Sequence, residues 1–228
     1  MINLMHISHS YSQNSVITPV LHDINLKIDK GSLNAVIGPS GSGKSTMLSI
    51  MGAILQPAHG RYEYEGADIF SMSRRERVCF RNKHFGFILQ DFALIQDYTV
   101  FQNVEIPLIY NNVCSRKEMR YRIEKILECL GIEKLLDKCV RNISGGEKQR
   151  VAIARALVNE PEVIFADEPT GLLDQKNGQI VMGLLKQIWK EDKTIVMVTH
   201  NDNLAAQCER IIKICDGHIT EDKSIIDV

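Results

Sequence analysis

The chain has 228 residues, and its 27 Lys and Arg nearly balance its 28 Asp and Glu, so the formal net charge is −1. This length suits one α/β domain with an inserted lobe, and the balanced charge predicts no nucleic-acid partner and no bulk attraction to anionic lipid. No stretch approaches the roughly 18 to 20 apolar residues of a membrane span, and six scattered cysteines, Cys114 among them, favour the cytoplasm over a disulfide or zinc framework.

The first predicted element is a β lobe near the N-terminus. Ile24, Leu26 and Ile28 alternate with polar residues, which is typical of a strand that is buried on one face only. A half-buried strand of this kind is usual in antiparallel sheets. We therefore expect the chain to begin with an antiparallel β lobe.

A glycine-rich loop follows a short apolar strand, Leu33 to Ile37. Residues 38–46 satisfy G-x-x-x-x-G-K-[ST], and apolar residues then recur at helical spacing through Ile54 and Leu55. Glycines let the backbone approach an oxyanion closely, and the N–H groups at a helix N-terminus attract negative charge. The loop therefore predicts a nucleotide phosphate site. Its candidate residues are Gly38, Ser40, Gly41, Gly43, Lys44, Ser45 and Thr46, with Lys44 for the β and γ phosphates and Ser45 for Mg²⁺.

The pattern turns helical from Asp91 to about Asn142. Ser115 and Glu118 form a capping-box pair that predicts a helix start. The residues Ser144, Gly145 and Gly146 then open a further helix. Because a Gly-rich helix N-terminus binds anions, this end is a second candidate phosphate site.

Two later apolar strands end in polar residues, Val163 to Ala166 before Asp167 and Glu168, and Thr194 to Val198 before His200. Open α/β sheets bind ligands at the carboxyl ends of their strands. The carboxylates and the imidazole are therefore candidates for phosphate chemistry. Asp167 is expected to hold Mg²⁺, Glu168 to polarise the attacking water, and His200 to orient that water at the γ phosphate.

The remaining sequence patterns predict a buried helix face and a hairpin. Apolar residues from Ile180 to Trp189 recur at helical spacing and are expected to form a core stripe. Asp216 and Gly217 predict a tight hairpin between two strands.

Together, these residues resemble the nucleotide-binding subunits of ABC transporters over about Leu4 to Ile219. The motifs that carry the resemblance are Ile143 to Glu147 as the signature, Asp167 and Glu168 as the end of the second nucleotide motif, Gly171 to Asp174 as the D-loop, Gln90 as the Q-loop glutamine, and His200 as the switch histidine. Tyr11 stands where the family places an aromatic ring against adenine, whereas Tyr62 and Tyr64 are rings of core or surface. Ile143 and Glu147 depart from the usual Leu and Gln.

The resemblance implies a P-loop NTPase fold of the ABC ATPase type, an α/β fold with a RecA-like core, an N-terminal antiparallel β lobe and an inserted α-helical lobe. Residues 1–228 are then one nucleotide-binding domain. Within it, 1–90 and 158–228 form the core with the β lobe, and 91–157 form the helical lobe that carries the signature.

One copy of each motif implies that a complete ATP site needs two chains. We expect a head-to-tail homodimer with two ATP and Mg²⁺ at its interface. One subunit contributes Lys44, Ser45, Gln90, Asp167, Glu168 and His200 to each site, and the other contributes Ser144, Gly145 and Gly146, with Asp174 nearby. The resemblance also implies a separate transmembrane permease, room for an extracytoplasmic adaptor, and a peripheral position on the inner face of the cell membrane.

Within the family, Phe85 to Gln90 and Ala166 to Gly171 look most like the macrolide-exporter and lipoprotein-releasing group. This implies export of a macrolide, an antimicrobial peptide or a lipoprotein. The alternative is a mechanical or regulatory membrane complex, such as a cell-division or peptide-sensing system. A phosphate-loop kinase has no use for the Ser144 motif, and ABC ATPases of DNA repair or translation carry modules or second domains that this sequence lacks.

The segment after Gln90 has two readings. Its apolar residues form either a patch for a permease helix or part of the local core. They are Phe92, Leu94, Ile95 and Tyr98. Sequence alone leaves both open.

Overall fold

The computed structural model describes residues 1–13, 16–111 and 115–225. It contains two compact units, the first formed by Met1–Val78 with Trp189–Val228 and the second by Cys79–Ile188. Cys114 lies outside the described residues, and the five described cysteines are free thiols. Among the described helices, none has both the length and the apolar character needed to cross a bilayer.

The described residues form ten strands and seven α-helices. The strands are β1 (Ile2–Gln13), β2 (Val16–Ile28), β3 (Leu33–Ile37), β4 (His59–Tyr64), β5 (Ala67–Asp68), β6 (Phe85–Ile88), β7 (Val163–Asp167), β8 (Thr194–Val198), β9 (Arg210–Cys215) and β10 (His218–Ser224). The helices are α1 (Lys44–Met51), α2 (Arg74–His84), α3 (Val100–Asn111), α4 (Arg116–Cys129), α5 (Gly145–Leu157), α6 (Gln175–Lys190) and α7 (Asp202–Ala205).

The first unit contains the predicted antiparallel β lobe, in the order β2-β1-β4-β5. Ile24, Leu26 and Ile28 are buried and their neighbours are not, as the alternation predicts. Beside this sheet in the same unit, β3 pairs in parallel with both β8 and β9, and β9 turns back antiparallel into β10. Every residue of β8 is buried, which is usual for a strand inside a parallel sheet.

The helix after the glycine loop is shorter than its apolar spacing predicts. It ends at Met51, with Gly52 as the C-cap. Ile54 lies in the following turn and is 57% exposed. The helix was predicted to continue through Ile54 and Leu55, and this prediction was wrong. The apolar residues keep their helical spacing beyond Gly52, but the backbone is no longer helical there because the cap ends the helix.

The second unit contains β6 and β7 as a parallel pair, with Phe85 opposite Val163 and Ile88 opposite Ala166. Gly86 lies against α5: an added Cβ there would be 2.4 Å from the carbonyl oxygen of Ala156. A side chain is excluded at this position because the strand and the helix backbone approach so closely. This packing sets the helix that begins at Gly145 against the strand that leads to Gln90.

In the second unit, α4 begins where the sequence predicts, and α6 buries most of the apolar face that the sequence predicts. The Ser115 hydroxyl caps α4 by accepting the backbone N–H of Glu118 at 3.2 Å. In α6, Val181, Leu185 and Ile188 are buried at helical spacing, but Ile180 is 43% exposed. The prediction of Ile180 as core was wrong, since an adjacent residue is rotated by about 100° away from the buried face.

Candidate functional site

The glycine loop of the first unit has the backbone of a phosphate cradle. Gly38, Gly41 and Gly43 have φ of +150°, +77° and +99°, and α1 begins directly at Lys44. An added Cβ at Gly38 would lie 2.0 Å from the carbonyl oxygen of Ile214, so no other residue fits there. Positive φ and a helix N-terminus turn successive N–H groups toward one anion.

The Lys44 side chain closes over this loop. Its Nζ donates to the carbonyl oxygens of Gly38 at 2.9 Å and Pro39 at 2.6 Å. Ser40, Gly41 and Ser45 are exposed. Lys44 itself is partly buried, and its ammonium group adds a full positive charge to the partial charges of the loop backbone.

Tyr11 is the accessible ring beside this loop. It is 47% exposed, and its hydroxyl lies 3.3 Å from Oγ1 of Thr46. Tyr62 and Tyr64 are buried, and the Tyr62 hydroxyl donates to the carbonyl oxygen of Met51 at 2.6 Å. Burial raises the pKa of Tyr62. Of these three rings, Tyr11 is the one that a base can reach.

His200 follows the strand beside the one that leads into the loop. β3 and β8 are parallel with Val36 opposite Val198, and the Thr199 N–H donates to the Val36 carbonyl at 3.1 Å. Gly38 and His200 therefore emerge from the carboxyl ends of two neighbouring strands. The His200 side chain is exposed at that edge.

In the second unit, Gln90 and Glu168 follow the carboxyl ends of β6 and β7. Both lie next to Gly171, where an added Cβ would be 3.4 Å from the Glu168 Cβ and 3.5 Å from the Gln90 Nε2. Asp167, the last residue of β7, is partly buried, as is Glu168. Glu168 has φ +47°, an unfavourable conformation for a residue with a Cβ that is often found at functional sites.

The N-terminus of α5 is closed by a full capping box. Oε2 of Glu147 accepts hydrogen bonds from the Ser144 backbone N–H and from the Ser144 hydroxyl, both at 2.7 Å, and the Glu147 N–H donates back to the Ser144 oxygen at 3.4 Å. The Ser144 N–H holds the pKa of Glu147 below its usual value. Ser144 and Gly145 remain exposed, so the helix end is accessible to an anion.

Asn177 connects this helix end to Asp174, a link that sequence reasoning missed. Its backbone N–H and its Nδ2 donate to the two Asp174 carboxylate oxygens at 2.9 and 2.7 Å, which lowers the pKa of Asp174. An added Cβ at Gly146 would be 2.7 Å from the Asn177 Oδ1. The sequence did carry a signal for the contact between Asn177 and Asp174, namely an Asn three residues after an Asp that caps a helix.

The segment after Gln90 is part core and part surface. Leu94 is buried and Phe92 is partly buried, whereas Ile95 and Tyr98 are each 43% exposed. Leu94 therefore belongs to the local core, whereas Ile95 and Tyr98 lie at the surface, and their contact with a permease helix stays a prediction. Sequence reasoning also missed Arg155, which donates from α5 to the Phe92 carbonyl.

Comparison with known proteins agrees with this geometry. The ABC transporter family model matches residues 21–171. An uncharacterized ABC transporter ATP-binding protein of Bacillus subtilis (strain 168), YvrO, is 42% identical over 98% of this chain and 97% of its own length. The macrolide export ATP-binding/permease protein MacB of Photorhabdus laumondii subsp. laumondii is 43% identical over 97% of this chain.

The coverage of these relatives differs. The chain spans about a third of the MacB protein, 34% of its length. Among solved structures, the cassette MJ0796, described as dimeric, in a post-hydrolysis state and bound to ADP and Pi, has a TM-score of 0.92 at 37% identity, with full coverage of both chains. CbiO1 of Clostridium perfringens, described as part of the transporter complex cbiONQ, has a TM-score of 0.85 at 31% identity over 98% of this chain and 88% of its own. These matches confirm the expected ABC ATPase fold.

Proposed function

Because the chain belongs to the ABC transporter family and is an ABC ATPase, we propose that it works as a head-to-tail dimer that drives a separate membrane permease in an export system. One observation supports this most strongly. The chain has two distinct anion-binding ends, the loop of residues 38–46 and the α5 N-terminus at Ser144, and one copy of each. Two chains then supply two complete sites.

In this proposal the first unit binds the nucleotide. The loop N–H groups and the Lys44 ammonium hold the β and γ phosphates, because both direct positive charge at one side of the loop. Tyr11 stacks on the adenine, since its ring is exposed beside Thr46. His200 orients the attacking water at the γ phosphate.

Magnesium fits the donors that the chain offers. The exposed Ser45 hydroxyl, the Asp167 carboxylate and the Gln90 amide oxygen are hard ligands of the type that Mg²⁺ prefers, and these residues would hold it. The bound ion neutralises charge on the phosphates. Glu168, which lies beside Gly171 as Gln90 does, polarises the water as general base.

The partner subunit completes each site. Its Ser144 hydroxyl and its Gly145 and Gly146 N–H groups donate to the γ phosphate of the nucleotide held by the first subunit. The dimeric state described for MJ0796 supports this arrangement. ATP then joins the two subunits, and hydrolysis removes the shared phosphate that joins them.

Export through a separate permease is the finer part of the proposal. It rests on two relatives: MacB, a macrolide export ATP-binding/permease protein, and YvrO, an ATP-binding protein that this chain matches over nearly its full length. The subunit would sit at the cytoplasmic face of the membrane. An extracytoplasmic adaptor on the permease is an additional partner.

Mixed mutant subunits test the shared site. Ser144→Arg and Lys44→Ala should each abolish ATP hydrolysis alone. A mixture should recover about a quarter of wild-type activity, since random pairing gives half heterodimers with one intact site of two. If heterodimers form, as shown by affinity tags on the two variants, but hydrolysis stays at the level of the single variants, sites are not shared.

A second mixture is the matched control. Lys44 and Glu168 act on the same nucleotide in the proposal, so Lys44→Ala mixed with Glu168→Gln leaves each heterodimer with two defective sites. This mixture should recover no activity. Recovery here would contradict the assignment of these two residues to one subunit's side of the site.

A further inference from the structure

The turn directly after Gln90 has an unfavourable backbone. Phe92 and Ala93 have φ of +61° and +45°. Two successive residues with a Cβ rarely adopt this left-handed conformation, because the Cβ approaches the carbonyl oxygen. Such a turn persists only where its surroundings hold it.

Arg155 holds this turn from the signature helix. Its guanidinium donates from Nη2 to the Phe92 carbonyl oxygen at 2.8 Å and from Nη1 to the Ala93 carbonyl oxygen. A planar fork of donors matches two neighbouring acceptors in a way that a lysine ammonium does not. The guanidinium is partly buried, and desolvation lowers its pKa while the Asp91 carboxylate opposes that shift.

The other end of the segment after Gln90, at Ile95, is held by a different residue. Asn103 of α3 is fully buried, its Oδ1 accepts the Ile95 N–H at 2.8 Å, and its Nδ2 donates to the Ile95 and Thr99 carbonyls at 3.1 and 3.0 Å. Arg155 therefore holds the near end, next to Gln90, together with two local hydrogen bonds: the Phe92 N–H donates to the Leu89 carbonyl at 3.0 Å, and the Ala93 N–H donates to the Asp91 carboxylate at 3.1 Å. Gln90 in turn reaches the Gly171 position beside Glu168.

We propose that Arg155 is a positioning residue for ATP hydrolysis. By holding the Phe92–Ala93 turn, it sets the Gln90 amide beside Glu168 and ties this placement to the helix that begins after Ser144. In the proposed site Arg155 acts through Gln90 and is not itself a ligand of the nucleotide. The inference rests on the proposed function only for the roles of Gln90 and Glu168.

Arg155→Gln tests whether Arg155 affects the rate of hydrolysis rather than the binding of ATP. Because a misplacement of about 1 Å can cost up to about a hundredfold in rate, kcat should fall at least about tenfold. Affinity for a fluorescent ATP analogue should stay within about twofold, since the loop of residues 38–46 and Tyr11, which hold the nucleotide in the proposal, belong to the first unit and Arg155 to the second. Arg120→Gln, which removes an equal charge from the exposed side of α4, is the control and should leave kcat unchanged.

Glycine rescue distinguishes positioning from simple packing. Glycine adopts positive φ without steric cost, so Ala93→Gly in the Arg155→Gln background should restore several-fold of the lost kcat. A packing defect would not respond to this change. In a double-mutant cycle, Arg155→Gln should add little to the loss caused by Gln90→Ala, because the first acts through the second.

Arg155→Lys keeps the experiment decisive if Arg155→Gln does not fold. Lysine retains the partly buried positive charge but not the planar fork of N–H donors. The variant should therefore fold and show a reduced kcat, and Ala93→Gly should restore part of that kcat. Wild-type kcat in both variants, or a loss that glycine does not rescue and that adds fully to Gln90→Ala, overturns the inference. Lys44→Ala in the same assay reports on the proposed function: if it hydrolyses ATP like wild type, the site assignment fails rather than Arg155.

Discussion

Glu147→Gln changes one charge at the proposed partner-facing end of α5 while keeping an acceptor oxygen for Ser144. The wild-type carboxylate accepts two hydrogen bonds from Ser144 at 2.7 Å. An acidic group at an exposed helix N-terminus contributes about 0.3 to 1 kcal/mol. We therefore expect the free energy of unfolding to fall by about 0.5 kcal/mol, or about 1 to 2 °C in Tm for a chain of this size.

The pH dependence has a definite sign. The pKa of Glu147 is lowered in the folded protein, so its charged form contributes stability above the usual glutamate pKa. That contribution is lost as the pH falls through the lower folded value. The difference in Tm between wild type and Glu147→Gln should therefore be largest near neutral pH and should shrink in acid. A difference that grows in acid would contradict the reasoning.

The same substitution should promote the ATP-bound dimer. Glu147 engages the Ser144 hydroxyl that the γ phosphate would need, and it carries charge of the same sign as the phosphate. If removing this exposed charge is worth about 1 kcal/mol, half-maximal dimerisation should need about fivefold less ATP. The assay is light scattering against ATP concentration in the Glu168→Gln background, where hydrolysis does not remove the ligand.

A similar Ser–Glu pair at the start of α2 supplies the control. Glu76 accepts the Ser73 N–H at 2.8 Å and donates its own N–H to the Ser73 hydroxyl at 3.3 Å, and hydrogen bonds from the Ser73 side chain and backbone lower the pKa of Glu76. Glu76→Gln should leave the ATP requirement unchanged. If both variants shift dimerisation equally, or if neither does, Glu147 has no special relation to the bound phosphate.

Three other predictions test the site and its support. Glu168→Gln should keep ATP affinity by titration calorimetry and lose about 10² to 10⁴-fold in phosphate release; wild-type turnover would exclude Glu168 as the base. Gly86→Ala should destabilise the fold by about 1 to 3 kcal/mol in urea unfolding, because its Cβ would lie 2.4 Å from the Ala156 carbonyl, and unchanged stability would show that the helix can move away. Tyr62→Phe should cost about 1 to 3 kcal/mol in the same measurement, since it leaves the Met51 carbonyl without its 2.6 Å donor; a neutral result would mean that another donor replaces the hydroxyl.

Several elements were predictable from sequence because their causes are local. The strand, loop and helix around Gly38 follow from apolar runs and from glycine's conformational freedom. Of the capping-box pair predicted at Ser115 and Glu118, the structure shows the serine half, in which the Ser115 hydroxyl accepts the Glu118 N–H. The hairpin at Asp216 and Gly217 has the expected positive φ at both residues, +47° and +75°. In each case the residues that determine the geometry are neighbours in the chain.

Burial was less predictable because it depends on which face of an element meets another. Ile54 and Ile180 have the same apolar character as buried neighbours, yet both are exposed. Tyr11 and Tyr62 are the same residue type in one sheet, yet Tyr11 is accessible and Tyr62 is buried. The residue type alone does not distinguish these cases.

The sequence by itself determined the family, the ATPase class and the candidate residues, because the motifs are short segments whose chemistry follows from residue type and spacing. Only the tertiary structure decided that Gln90 and Glu168 both lie beside Gly171, that Arg155 holds the turn at Phe92, and that Asn177 lies against Gly146 of α5. These contacts join residues from separate segments. Their distances are set by how strands and helices pack, which no local pattern of residues specifies.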